Sequence, residues 1–362
     1  MKAKSIFVPP PEYTEASPLP TLRSAMRLYM LVLIVSAAVI VELEYSIDIA
    51  FLRLLAAIFV FGGFTVAAVL LTGSQLGAIM GRRPTIAMLL ISFAVGLTVF
   101  APMTWMLLLI SNTLGGLLGN LPPPLSSNAN FYQQMIMFGV IIPLCQGFLF
   151  FGYLFAAAQG LATAGGRGRW RSVGLIVILF GLFGLFTAGF GLAAIPAYMI
   201  LGLVGALLVV RSGSAWTAIV MQSGFYLAEP ILSPHIISPL LGSQAADILS
   251  FPWLTLVVIS AFLTFVLLQM MQVMLRRRAA LDSAVSTTPH KASKPGRGWW
   301  LPLVATALLC IVIGYSELLT RQRNPVTRAA APIANTGVTL PPLISTPANG
   351  STAPQATNQK PQ

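Results

Sequence analysis

Apolar runs of about 18 to 25 residues recur along the chain from Leu28 to Ile313, separated by short polar or basic stretches. Each is long enough to cross a hydrocarbon core of ~30 Å as a helix rising ~1.5 Å per residue. The two-residue alternation of a membrane barrel is absent, and lipid offers no water to backbone amides, so the runs are predicted to be helices. The pattern therefore predicts an all-α fold, a polytopic transmembrane helical bundle of about nine spans over 28–46, 53–73, 85–106, 134–162, 172–190, 192–210, 214–231, 252–274 and 299–317. The first is the shortest, because only Leu28 to Val41 precede Glu42. Residues 107–125 are also apolar, but a crossing there would put Arg167, Arg169 and Arg171 on the opposite side from the other basic clusters. They are expected to form a re-entrant or surface stretch on the outer side.

Composition agrees with that pattern. Hydrophobic residues make up 56% of the chain and charged residues 8%, against roughly 25% charged in soluble domains. A net charge of +12 would suggest nucleic acid if it lay on one surface, but it is distributed over helix ends, and no nucleic-acid partner is expected. With the N-terminus cytoplasmic, 16 of the 21 basic residues fall inside, among them Arg23, Arg27, Arg82, Arg83, Arg211 and Arg276–Arg278. The outer side receives six of the nine acids: Glu42, Glu44, Asp48, Glu229, Asp247 and Glu317.

The chain divides accordingly into a cytoplasmic arm (1–27), N-terminal transmembrane helices with the outer segment (28–133), a transmembrane core (134–231) and an outer loop with a further helix (232–274). A basic cytoplasmic linker (275–298), the last span (299–317) and a Pro/Thr-rich disordered extracytoplasmic tail (318–362) follow. No secretory cleavage site is apparent, so the first span is expected to remain as an anchor. The expected location is the plasma (cytoplasmic) membrane of a bacterial cell. Membrane lipids, and other membrane protein subunits, are the expected partners; the linker is either a topology signal or a segment lying against anionic headgroups.

Conventional chemistry is scarce inside the bundle. His235 and His290 fall in loops on opposite sides, and Cys145 and Cys310 lie on different helices, where a cysteine usually behaves as a small apolar residue. No histidine, aspartate or cysteine cluster suggests a zinc or haem site, so no cofactor is expected. Gly181, Gly184, Gly202 and Gly205 read as close-packing points between helices. The remaining polar groups at membrane depth are chiefly Gln146, Gln222, Ser223, Tyr226 and Glu229. Gln222, Tyr226 and Glu229 follow i, i+4, i+7 spacing and share one face. That stripe is either interhelical glue or a polar pocket for a ligand or peptide.

Three segments resemble the CPBP family of intramembrane metalloproteases, the CAAX-protease and bacteriocin-processing proteins also called Abi. Pro143-Leu144-Cys145-Gln146-Gly147-Phe148-Leu149-Phe150-Phe151-Gly152 is similar to that family's Pro-Leu-x-Glu-Glu-Leu-Leu-Phe-Arg-Gly helix. Phe180-Gly181-Leu182-Phe183-Gly184-Leu185 is similar to its Phe-x-x-x-His-Leu element, and Met199 to Tyr226 resembles its closing His-x-x-x-Asn segment. Gln146, Gly184 and Gln222 are spaced 38 and 38 residues apart, which the family's spacing accommodates.

In that family a pair of glutamates activates water for attack on a peptide bond, and histidines hold the metal or the developing oxyanion. Here the glutamates align with Gln146 and Gly147, the arginine with Phe151, the histidines with Gly184 and Gln222, and the asparagine with Tyr226. A glutamine cannot take up a proton at neutral pH, and loss of a general base alone typically costs ~10²- to 10⁴-fold. The resemblance thus implies a degenerate member, a pseudoprotease acting by binding as an accessory subunit or scaffold of a membrane complex. The alternatives are an active protease with a displaced site around Glu229 and His235, or a carrier of a neutral or apolar solute.

Overall fold

The computed structural model describes residues 19–46, 59–113, 135–159, 167–187, 194–232, 249–282, 304 and 308. Among them the secondary structure is helical: α1 (Leu22–Ser46), α2 (59–71, Phe59–Gly63 continuing as Phe64–Leu71), α3 (Leu76–Met80), α4 (Ile86–Thr113), α5 (137–158), α6 (Arg167–Thr187), α7 (Ala194–Ser212), α8 (Ala215–Leu232) and α9 (Phe251–Asp282). Among the described residues four stretches are long and apolar enough to cross a membrane, namely Ile86–Ile110, Phe138–Ala158, Ala194–Ser212 and Phe251–Leu275. Val60–Leu71 and Trp170–Leu185 are shorter apolar helices. The expected last span (299–317) lies outside the described residues apart from Val304 and Leu308, as do His235, His290, Cys310, most of the arm, the linker from 283 onward and the tail.

Several helices start or stop away from their predicted ends, among them α6, which begins at Arg167 rather than 172, and α9, which runs to Asp282 rather than 274, into the segment expected to be a linker. α1 begins at Leu22 rather than 28, taking Arg23 and Arg27 into its first turns, both exposed. α4 runs unbroken to Thr113, because Leu107-Leu108-Leu109-Ile110 continues the helical apolar run beyond the expected end at 106; residues 114–125 lie outside the described part.

α9 shows what surrounds the bundle. Little of Phe251–Leu275 is buried, only Trp253, Ser260, Thr264, Leu268 and Met271, and Phe251, Val258, Phe262 and Phe265 are each more than half exposed. In water this would be a large unpartnered apolar surface; in lipid it is the ordinary face of a spanning helix. The buried stripe of α9 is Ser260, Thr264, Leu268 and Met271. This stripe solves a problem created on α4. Pro102, inside that helix, has no N–H to offer the carbonyl of Thr98, and Ser260 Oγ donates to that freed oxygen. Thr264 Oγ1 bonds Thr98 Oγ1 at 2.8 Å and the Ser260 carbonyl at 2.9 Å.

α4 and α8 cross with their backbones in contact. A Cβ on Gly96 would overlap the carbonyl of Met221, and one on Gly224 would overlap that of Phe93; the close approach requires glycine on both helices. α6 and α7 form an antiparallel pair in which large residues fill gaps left by small ones. Elsewhere the core is aromatic: Phe150 meets Phe180 at 4.8 Å, Phe183 at 5.0 Å and Tyr29 at 5.9 Å between ring centroids, and Phe61 closes on Phe183 at 4.9 Å. The Tyr29 hydroxyl, fully buried, donates to the Leu179 carbonyl at 2.6 Å.

Candidate functional site

α5 carries the residues aligned with the glutamate pair, and its local geometry is unusual. Ile142–Gly147 is α-helical, while Met137–Ile141 before it and Phe148–Leu154 after it are wound in wider, π-type turns. Pro143 at the start of the α segment cannot donate to the preceding turn, and widened turns are one way a membrane helix accommodates that loss. π-type turns inside α-helices recur at functional sites. From Gln146 to Ala158 every residue is buried.

The structure brings four of the six aligned positions to the contact between α5 and α8 or its edge. The Tyr226 hydroxyl donates to Gln146 Oε1 at 2.9 Å, and the Tyr198 side chain of α7 is a further hydrogen-bonding neighbour of Tyr226. Gln222 lies beside Gly147: a Cβ on Gly147 would stand 3.1 Å from Gln222 Oε1. Gln222 is fully buried, and neither its Oε1 nor its Nε2 has a hydrogen-bond partner. Ser223 turns away from these groups to its own helix, its Oγ meeting the Ile219 carbonyl at 3.2 Å. Glu229 belongs to the backbone of α8, but its side chain lies outside the described residues.

At the two glycines standing where the family pattern has longer polar groups, another side chain of this protein fills the space. A Cβ on Gly147 would overlap Ile219 Cγ1. A Cβ on Gly184 would stand 2.7 Å from Tyr198 Cβ and Cγ. Phe151, in the arginine position, lays its ring over Gly205, where a Cβ would collide with it, and stacks 5.6 Å from Phe180. Sequence reasoning singled out neither Tyr198 nor Ile219. The signal for Tyr198 lies in the α6–α7 pairing, where Gly184 opposes Tyr198 and Gly202 opposes Phe180, both pairs centred on position 191.

The donor set decides what the site can hold. It offers two carboxamides and two phenols, and among the described residues no three His, Cys, Asp or Glu side chains come together. Neutral amides and phenols do not fit a catalytic divalent metal, which takes imidazole, thiolate or carboxylate ligands. What the arrangement can do is donate and accept neutral hydrogen bonds in a dry, ring-lined interior.

A family model described as type II CAAX prenyl endopeptidase Rce1-like matches residues 128–228, from just before α5 to within the last turns of α8. That stretch contains no Asp, Glu or His. No curated protein and no solved structure matches the chain.

Proposed function

Because the chain belongs, through residues 128–228, to the Rce1-like family of CAAX prenyl endopeptidases and is thus a membrane protein of the CAAX-protease type, we propose that it retains the helical core of a protease and works by binding. One observation carries this reading: the family-matched stretch has no carboxylate and no imidazole anywhere along it, so it offers peptide-bond hydrolysis no carboxylate or imidazole base to activate water and, apart from the lone Cys145, no ligand for a metal. Packing supports it independently, since Ile219 and Tyr198 occupy the space that longer side chains at 147 and 184 would need. The proposed role is that of an accessory subunit or scaffold in a plasma-membrane complex. The topology proposed with it is nine spans with the N-terminus cytoplasmic and the Pro/Thr-rich tail outside, a reading supported by the contact that joins the loop of Arg82 and Arg83 to the turn after Arg211: Arg82 N to the Gly213 carbonyl at 2.9 Å.

The test is to purify the full chain in mild detergent, assay it against a prenylated CAAX peptide and a membrane-spanning peptide, and measure bound zinc and co-purifying proteins. The expected result is no cleavage, no stoichiometric zinc and a stoichiometric protein companion. Zinc-dependent cleavage abolished by Glu229→Gln or His235→Ala would establish a displaced protease site and overturn the reading, and a chain that travels alone would remove the accessory role.

A further inference from the structure

The buried amide of Gln222 has a cost that packing of this chain alone does not explain. Gln222 is fully buried, and neither its Oε1 nor its Nε2 has a hydrogen-bond partner. Such a group bears its desolvation uncompensated, and a methionine would fill the same space without that cost. α8 holds the amide against α5 at Gly147, where a Cβ would stand 3.1 Å from Gln222 Oε1 and overlap Ile219 Cγ1, so glycine is what lets the two helices close to this distance. One turn further along α8, the Tyr226 hydroxyl donates to Gln146 Oε1 at 2.9 Å; the Nε2 of Gln146 takes no part in that bond. The side chains described at this contact, Gln146, Gln222 and Tyr226, are uncharged.

The chemistry of the amide limits what can satisfy it. A carboxamide with both atoms free pairs with a group that offers a carbonyl to its N–H and an N–H to its oxygen, side by side. A charged group would have to leave water for a site of neutral amides and phenols. A water molecule would need several polar partners, whereas Ile219 and Gly147 border the amide. A transmembrane helix spends its backbone amides within itself, and a trans peptide unit points its N–H and C=O in opposite directions. A primary amide meets both demands at once. The way in is lateral: the rings of Phe138 and Tyr226, both half-buried, stand 6.2 Å apart over the Gln146 end, with Phe138 in the widened turn Met137–Ile141 of α5. Beside them Val140 and Leu144 are 57% and 44% exposed, an apolar edge suited to an acyl chain.

We propose that the α5–α8 interface binds an uncharged long-chain primary amide, its head paired with the Gln222 carboxamide and its chain lying along the edge of α5 at Val140 and Leu144. The Tyr226–Gln146 bond closes over the head. This rests on the non-catalytic binding reading and names the class of ligand that the site would take.

The test titrates the full chain, purified in dodecyl maltoside, with oleamide and with methyl oleate, which keeps the chain and the carbonyl but has no N–H. Binding is counted by native mass spectrometry and followed by the rise in melting temperature. Oleamide should bind saturably and on the order of tenfold more tightly than methyl oleate, and Gln222→Met should weaken it on the order of tenfold. Gln269→Met, the same change on α9, should leave it unaltered. The comparison of the two probes uses the wild type alone, so it decides the matter even where a variant does not fold. Equal binding of the probes, or an oleamide affinity untouched by Gln222→Met, would mean that oleamide merely joins the detergent belt and would overturn the proposal. No bound oleamide, together with a protein companion released by Gln222→Met, would assign the amide to a protein contact and overturn it likewise. Either failure leaves the non-catalytic reading standing, because that one is decided by the cleavage and zinc assays.

Discussion

Tyr198 stands where a side chain on Gly184 would have to project, with its Cβ and Cγ 2.7 Å from the position a Cβ would take. Gly184→His, which restores the residue type of the family pattern, should therefore overpack the α6–α7 contact and cost roughly 1–3 kcal/mol. Gly184→His/Tyr198→Ala should recover part of that loss. Neither should bring peptide cleavage, because Gln146 and Gly147 still supply no base. Unfolding in detergent and a peptide-cleavage assay check both halves; an unchanged melting point for Gly184→His would show that Tyr198 yields freely and that the space is open.

The bond from Ser260 Oγ to the Thr98 carbonyl predicts a coupling between two residues that need not touch. Ser260→Ala leaves the carbonyl freed by Pro102 without a partner in lipid, at a cost of about 1–2 kcal/mol. In a Pro102→Ala background the amide at 102 can bond Thr98 within α4, so the same Ser260 change should cost markedly less. A double-mutant cycle by denaturant unfolding reads the difference. Equal costs in both backgrounds would mean that Ser260 acts only by packing.

Gly96 and Gly224 are expected to be intolerant for a different reason: the obstruction is backbone, which has no rotamer to change. Gly96→Ala and Gly224→Ala should each cost about 3 kcal/mol or more, the upper range for single substitutions. Gly174→Ala, in the middle of α6 with nothing within 4 Å of its would-be Cβ, should be neutral or stabilising by up to ~1 kcal/mol. If all three behave alike in thermal melting, the α4–α8 crossing is looser than described.

The sequence made most of the helices legible because lipid demands long uninterrupted apolar runs: every described helix except the short α3 overlaps a predicted span, and four of them are long and apolar enough to cross a membrane. It also showed which positions depart from the family pattern, since those are identities. What it could not show was orientation. α9 is apolar all round, so nothing in its own pattern distinguished the Ser260–Thr264 face, which is fixed by a proline on another helix. The convergence of Gln146 with Tyr226 was legible because a lone amide among Phe and Leu must find a polar partner. The blocking by Tyr198 and Ile219 was not, because it depends on the depth at which α6 meets α7 and α5 meets α8. Likewise a backbone bridge between Gly81 and Ser214 joins residues over 130 positions apart, and no local periodicity signals such a contact.

Gln146 and Gln222 face the same interface but should respond oppositely to removal of their amides. Gln146 accepts from Tyr226 at 2.9 Å, and interhelical hydrogen bonds of this kind are worth only ~0.6 kcal/mol on average, because separated helices also find partners. Gln146→Met should thus be slightly destabilising, and Tyr226 keeps Tyr198 as a neighbour. Gln222 has both amide atoms buried and unbonded, so it bears a desolvation cost of about 1–3 kcal/mol with nothing to offset it. Replacing it with the similarly shaped methionine should raise the stability of the purified chain by a comparable amount. Unfolding of the two variants side by side in the same detergent measures this sign directly. A stabilised Gln222→Met variant that also loses its co-purifying companion would mean that the amide is kept for recognition at the expense of stability. If Gln222→Met is destabilised as much as Gln146→Met, the amide is already satisfied within the folded bundle, and the idea that it is held open for another molecule fails.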